Sequence, residues 1–207
     1  MVVSEFFVWL HIPKTAGDAT ELMFRELDHP WRLIDPCTDP RKHSTLAEAR
    51  ERVPEARSLP VIANLRRLPE LVLSYYHHQR RHAPDEALPD GSRFGDLSFR
   101  EYLRFVIAHP ENQTYDWILN HYLSGEEPAR WLRVSSLAAS FIEVIGGYLP
   151  IPEAVHGRIR TISANVGTYG DKTELRSWYD PGELEALYRN CPRWARTERR
   201  VYGSLAI

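Results

Sequence analysis

A lysine lies where a buried strand is expected to end. The stretch FFVWLHIPKTAG, residues 6–17, begins as an apolar run and breaks at His-Ile-Pro-Lys-Thr-Ala-Gly. A strand that turns into a helix near Asp18 directs several backbone N–H groups and the positive end of the helix dipole at one place. The sequence therefore predicts a phosphate-binding loop in which Lys14 supplies a positive charge.

This loop departs from the pattern that binds ATP and GTP. The motif GxxxxGK[ST] places a glycine ahead of the lysine, whereas Gly17 follows Lys14 here. An ordinary nucleoside-triphosphate site is disfavoured for that reason. Asp18 has the residue type of a helix N-cap and is expected to serve as one.

A second group suited to phosphate lies in NLRRLPELVLSYYHH, residues 64–78. A strand is expected to end at Arg66, and the following helix carries Ser74. Arginine can contact two phosphate oxygens at once, and a serine hydroxyl can donate a hydrogen bond. Arg67 stays open as the alternative to Arg66.

A candidate base lies between these two segments. His43 belongs to KHSTLAEAR, residues 42–50, and precedes a helix that Thr45 and Glu48 start with capping-box spacing. A neutral imidazole can accept a proton from a hydroxyl near pH 7. His11 is the second candidate. The His78 and His82 spacing suits a metal, but no third ligand matches it, so no metal site is predicted.

Composition limits the classes of partner. The 207 residues carry a net charge of −2, which argues against a nucleic-acid binder. Cys37 and Cys191 are far apart and are expected to be free thiols. No apolar run approaches the roughly 20 residues that span a bilayer, and residues 1–5 offer no basic leader segment. We expect a cytoplasmic protein that is not associated with a membrane.

The periodicity of apolar residues predicts an α/β fold. Residues 5–12 and 59–65 are apolar runs of strand length, residues 31–35 and 131–134 are shorter candidates, and helical patterns lie between them. We expect one domain over 1–207 with a central parallel sheet and helices on both faces, a three-layer arrangement.

The quoted motifs resemble those of sulfotransferases that use 3′-phosphoadenosine 5′-phosphosulfate, PAPS. HIPKTAG is similar to the 5′-phosphosulfate loop of the carbohydrate (family 2) branch, SYYHH to the SYYHF of cytosolic members, and KHSTLAEAR to the segment that carries the family 2 histidine base. WLRVSSLAASF, residues 131–141, resembles the family's fourth strand and the helix after it. The chain resembles a small bacterial member, and the resemblance implies the sulfotransferase fold with its P-loop-like loop.

The resemblance also implies roles for individual residues. Lys14 would stabilise the oxygen that leaves sulfur, and His43 would take the proton of the acceptor hydroxyl. Residues of the loop and of the helix start would hold the 5′-phosphate: Thr15, Ala16, Gly17, Asp18 and Ala19. Arg66 and Ser74 would hold the 3′-phosphate. The segment 161–173 lies where the family covers the nucleotide, with Asn165, Thr168 and Lys172 as candidates for donor contacts.

These expectations leave two other functions open. One is a nucleotide-dependent phosphotransferase on the same strand-loop-helix plan, which would need the absent Walker lysine-serine pair. The other is a nucleotide- or glycan-binding module without catalysis. The acceptor is expected to be a carbohydrate or another small molecule such as a natural product, and neither its identity nor the oligomeric state can be read from the sequence.

Overall fold

The structure is a computed structural model that describes residues 1–113, 115–163 and 174–206. The chain forms strands and helices in this order: β1 (Val2–Val3), β2 (Val8–Leu10), α1 (Gly17–Arg25), β3 (Leu33–Ile34), α2 (Leu46–Arg52), β4 (Val61–Leu65), α3 (Leu68–His82), α4 (Phe99–Ala108), α5 (Pro110–Gln113), α6 (Asp116–Leu123), β5 (Arg130–Arg133), α7 (Leu137–Gly146), α8 (Glu153–Thr161), α9 (Pro181–Asn190) and α10 (Pro192–Tyr202).

The chain divides into two compact units. The first comprises Met1–Arg66 and Ile118–Val166, and the second comprises Arg67–Trp117 and Gly167–Ile207. Within these ranges, residues 114, 164–173 and 207 lie outside the part of the chain that the structure describes. The expectation of one domain over 1–207 stays a prediction, and each unit is described separately.

A mixed sheet forms the centre of the first unit. Its strand order is β3-β1-β2-β4-β5. The neighbours β2 and β4, and β4 and β5, run parallel, which confirms an α/β class with parallel pairing at the middle of the sheet. The prediction of a wholly parallel sheet is wrong, because β1 pairs antiparallel with both β2 and β3.

A tight turn is the reason for the antiparallel pair. The apolar run 5–12 was expected to be one strand, but only Val8–Leu10 is extended within it. The Ser4 hydroxyl oxygen accepts hydrogen bonds from the amides of Phe6 (3.0 Å) and Phe7 (2.9 Å), and the Ser4 amide donates to the Phe7 carbonyl at 3.0 Å. This turn reverses the chain, so β1 precedes β2 as the first arm of a hairpin.

Both faces of the sheet are buried. Trp9, Ile62 and Leu132 belong to a cluster with Phe24 of α1 and Phe141 of α7. The strand residues that alternate with them are also fully buried, namely Val8, Leu10 and Ala63. Strands covered on both faces read as continuous apolar runs, as β2 and β4 do. The sheet is therefore a rigid base for the loop that follows β2.

The second unit is built from helices. The Asp116 carboxylate accepts hydrogen bonds from the amides of Arg193 and Trp194, both at 2.7 Å, and so caps the first turn of α10. Tyr179 donates its hydroxyl proton to the Pro69 carbonyl at 2.6 Å. Gly203 ends α10 with φ 78°, a left-handed conformation that glycine adopts without strain.

Capping residues in the sequence predict where helices begin better than apolar spacing predicts which helix faces are buried. The Thr45–Glu48 capping box starts α2, and Asp180 starts α9 with a capping box of its own. The apolar spacing of Ala19, Leu22, Met23 and Leu27 predicts one buried face of α1, but Leu22 is 37% exposed. Thr20 and Glu21 are buried there instead, since Thr20 bonds to the loop and Glu21 pairs with Arg25.

Candidate functional site

The loop between β2 and α1 has a left-handed backbone at two residues that are not glycine. Lys14 and Ala16 both have φ 63°. Each such residue costs on the order of 1–3 kcal/mol and persists only where the surroundings hold it. The loop therefore needs strong fixing contacts.

Asn64 of β4 supplies those contacts. Its amide nitrogen donates to the Thr15 carbonyl and to the Thr20 hydroxyl oxygen, both at 2.7 Å, and its carbonyl accepts from the Trp9 indole at 2.9 Å. Asn64 is fully buried, so these bonds are not shared with water. Asn64 is a residue to which no sequence motif assigned a role. A polar residue inside the apolar run VIANL was the signal that could have found it.

Besides the Lys14 side chain, the donors that this loop offers are backbone amides. The Thr15 hydroxyl is buried and donates to the Ile12 carbonyl at 2.7 Å, so its proton serves the loop itself. The first helical bond of α1 runs from the Thr20 amide to the Ala16 carbonyl at 3.1 Å. The amides of Gly17 and Ala19 precede it and have no acceptor within the helix.

The expectation that Asp18 caps α1 is wrong. Ala16 occupies the N-cap position in a left-handed conformation, without a side-chain cap. The Asp18 carboxylate instead accepts a hydrogen bond from Lys42 at 2.7 Å, and Lys42 also donates to the Cys37 carbonyl at 2.6 Å. This pair compensates the negative charge at the start of α1. Lys42 is a second residue that the sequence analysis left without a role.

Gly17 is required by the close approach of His11. A Cβ added at Gly17 would lie 1.9 Å from Cδ2 and 2.0 Å from Nε2 of the His11 ring. His11 is only 4% exposed and has little room to move. The His11 ring therefore packs directly against Gly17, the first residue of α1, and leaves no space for a side chain there.

His11 is held neutral. Burial, and secondly the neighbouring His43, lower the pKa of His11 from 6.5 to about 2. Its Nδ1 is buried without a hydrogen-bond partner among the described residues, and its Nε2 lies 3.7 Å from an Asp18 carboxylate oxygen. A nitrogen of such low proton affinity is a poor base at neutral pH. This favours His43 of the two candidates.

His43 is fixed by the strand end that carries the loop. Its Nδ1 lies 2.9 Å from the His11 carbonyl oxygen, and the two imidazole rings meet at 67° with centroids 4.3 Å apart. A carbonyl can only accept, so in the neutral ring Nδ1 carries the proton and Nε2 carries the lone pair. The pKa of His43 is lowered, chiefly by burial and further by Lys42, while the bond to His11 opposes the shift.

The structure distributes the predicted 3′-phosphate residues over both units. Arg66 follows β4 at the end of the first unit and is half-buried. Ser74 is buried in α3 of the second unit. Arg67 is engaged within the second unit: it donates to Glu198 at 3.0 Å and to the Ser204 carbonyl at 3.1 Å, and lies over the Tyr202 ring. Arg66 stays the candidate that the sequence gives for this phosphate, with Arg67 as its alternative.

Asn165, Thr168 and Lys172 lie outside the described residues. Over 1–113, 115–163 and 174–206, no cluster of three histidine, cysteine or acidic side chains could hold a metal. In the same ranges every helix is too short or too polar to cross a bilayer.

Comparisons with known proteins leave the family open. No protein-family model, curated protein or solved structure matches this chain. Function is therefore inferred from the residues at the end of β2 and from their geometry.

Proposed function

We propose that the chain transfers a sulfuryl group from PAPS to a hydroxyl group of a carbohydrate or other small acceptor. The observation that carries the proposal is the hydrogen bond from His43 Nδ1 to the His11 carbonyl. It assigns the lone pair to Nε2 and attaches this base to the strand that leads into the Lys14 loop. A lysine, helix amides and an oriented imidazole are together what in-line transfer to a hydroxyl requires.

In the proposed reaction His43 Nε2 removes the acceptor hydroxyl proton as that oxygen forms its bond to sulfur. The bond from sulfur to the bridging phosphate oxygen breaks, and 3′,5′-ADP leaves with the electron pair. Lys14 binds the leaving oxygen. The amides of Gly17 and Ala19 point toward the 5′-phosphate from the positive end of α1.

The charges around the loop are compatible with an anionic donor. Asp18 would repel a phosphate if its carboxylate were uncompensated, but Lys42 binds it at 2.7 Å. The Lys42–Asp18 pair is close to neutral, so the Asp18 charge at the start of α1 is compensated. In this proposal the half-buried Arg66 binds the 3′-phosphate. The sulfotransferase fold, a contact from Ser74 and a cytoplasmic location stay predictions of the sequence.

The first test separates the base from the leaving-group residue. Turnover would be measured by transfer of radiolabelled sulfur from PAPS to a panel of glycan, phenol and natural-product acceptors. His43→Ala should slow transfer about 100- to 10,000-fold, as expected for loss of a general base, while 3′,5′-ADP affinity stays nearly unchanged. Lys14→Ala should lower both turnover and 3′,5′-ADP affinity, because the lysine charge already contacts the bound donor before the reaction begins.

The pH dependence identifies the base. Because the pKa of His43 is lowered from 6.5, the acidic limb of the rate profile should lie below that pH and disappear in His43→Ala. His82→Ala, which removes an exposed histidine, is the matched control and should leave the profile unchanged. If the acidic limb of the rate profile persists in His43→Ala, His43 is not the base. Absence of both transfer and 3′,5′-ADP binding would reject the function.

A further inference from the structure

A cleft between α9 and α10 lies within the second unit, apart from the residues assigned above. Its volume is about 350 Å³, and its walls include Tyr188, Leu205 and three arginines, Arg189, Arg196 and Arg199. The volume lies at the lower end of the range for small-molecule sites. The cleft is therefore large enough for a small organic anion.

Positive charge dominates this cleft. Arg196 and Arg199 are one turn apart on α10 and Arg189 approaches from α9. Among the described residues of the wall, Glu185 is the one acid. No carboxylate among the described residues forms an ion pair with any of the three arginines. The whole chain, by contrast, has a net charge of −2. The excess of positive charge is therefore local to this cleft and is not a property of the whole chain's composition.

Hydrogen bonds to Glu198 and Tyr188 hold the walls of the cleft in place. Glu198 is fully buried and accepts hydrogen bonds from Arg67 (3.0 Å), the Leu68 amide (2.8 Å) and the Tyr188 hydroxyl (2.9 Å). The Ala206 amide donates to the same Tyr188 oxygen at 3.1 Å and so fixes the chain beside Leu205. Burial and the negative charge of Glu198 raise the pKa of Tyr188, which stays neutral. The walls between the arginines are thus held in place before any ligand arrives.

We propose that this cleft binds a small, multiply charged anion that carries phosphate or sulfate groups. A planar guanidinium offers paired donors that match two oxygens of a tetrahedral oxyanion. Three such groups around one cleft favour a ligand with at least two anionic groups over a single carboxylate. Tyr188 and Leu205 offer an apolar surface for the carbon skeleton that joins them. The inference does not depend on sulfuryl transfer.

Calorimetric titration at low ionic strength tests the proposal with two probes, inorganic pyrophosphate and a disulfated disaccharide. The titrations use the full chain carrying Lys14→Ala, so that the β2–α1 loop contributes least. One site per chain is expected for at least one probe. The double variant Arg196→Ala/Arg199→Ala should weaken that site about tenfold or more, and Arg189→Ala by a smaller factor. Added salt should weaken it as well.

Arg81→Ala is the matched control, because it removes an exposed arginine from α3 of the same unit. It should bind the probe as the Lys14→Ala parent does, and the thermal transitions of all variants should coincide, since the replaced arginines are exposed. A preference between the probes assigns the site to phosphate or to sulfate esters. The proposal is overturned if neither probe binds, if the α10 double variant binds like its parent, or if Arg81→Ala loses as much affinity.

Discussion

Two neighbouring histidines differ because burial acts on them unequally. His11 is 4% exposed, packs against Gly17 and has a pKa lowered to about 2. His43 is half-buried, bonds to the His11 carbonyl and has a smaller downward shift of its pKa. One imidazole thus shapes the loop, and the other is the one that the proposed function assigns as the base.

The neutral His11 makes stability depend on pH. Its folded pKa of about 2 lies below the ordinary 6.5, so the unfolded chain binds a proton that the folded chain does not. The free energy of unfolding should be fully maintained above pH 6.5 and fall by about 1.4 kcal/mol per pH unit below it. Urea unfolding at pH 7 and pH 5.5 should give a smaller difference for His11→Gln than for the wild type.

The comparison needs a control because the chain has nine histidines. His82→Gln removes an exposed histidine and should keep the wild-type pH dependence. If His11→Gln loses stability between the two pH values as steeply as the wild type, His11 is not buried in its neutral form.

At this scale the sequence indicates candidate groups but not their partners. Lys14 and His43 could be chosen because residue type and position relative to a strand or helix are local properties. Lys42 and Asn64 were missed because their partners, Asp18 and Thr15, lie 24 and 49 residues away in the chain. Contacts of that separation are set by the sheet register, which no local pattern contains.

Among the elements, helix starts were predictable and the sheet edge was not. Thr45 and Glu48 specify the start of α2 through two reciprocal hydrogen bonds, in which each side chain accepts from the other residue's backbone amide. The signal is therefore complete within one turn. The strand β1 has only two residues and pairs through its backbone with β2 and β3. Two apolar residues carry no periodicity, so nothing in the sequence could distinguish this strand from the end of a longer one.

The junction of β2 and α1 can be tested by a double-mutant cycle. Gly17→Ala places a methyl group about 1.9 Å from the buried His11 ring, so one of them must move. We expect a loss of about 1–3 kcal/mol of stability, typical of an overpacked core. His11→Ala removes the clash, so the double variant should lose less than the sum of the two single losses.

The measurement is urea unfolding of the four proteins at pH 7, with Gly157→Ala as the matched control. A Cβ at Gly157 meets no atom within 4 Å, and alanine favours the helical conformation of α8. That variant should be neutral or more stable. Additive losses for Gly17 and His11 would contradict the close approach between them.

On the scale of the whole molecule, two anion sites are proposed on a chain with net charge −2. Long-range attraction therefore contributes little, and each site must depend on nearby cations. In the first unit these are Lys14 and Arg66, with Lys42 used to compensate Asp18. In the second unit they are the arginines of the cleft. Binding at the two sites should consequently respond to different substitutions.

Ligand-induced stabilisation tests the site of the first unit on the intact protein. A ligand that binds only the folded state at 100 times its Kd adds about 2.7 kcal/mol to the free energy of unfolding. For a chain of this size that corresponds to a rise in Tm of roughly 5–11 °C. We expect such a rise with 3′,5′-ADP at concentrations where 5′-AMP and ATP give little. Differential scanning calorimetry measures it, and the rise belongs to the transition of the unit that binds.

Arg66→Ala shows which phosphate is recognised. Loss of a charge-assisted hydrogen bond of about 1.5–3 kcal/mol should remove most of the stabilisation by 3′,5′-ADP and leave that by 5′-AMP nearly unchanged. Arg57→Ala removes an exposed arginine of the same unit and should leave both unchanged. Equal losses for the two nucleotides in Arg66→Ala would place the 3′-phosphate elsewhere. Equal stabilisation by ATP and 3′,5′-ADP in the unaltered protein would instead favour phosphoryl transfer over sulfuryl transfer, because the loop would then not distinguish a 3′-phosphate from a 5′-triphosphate.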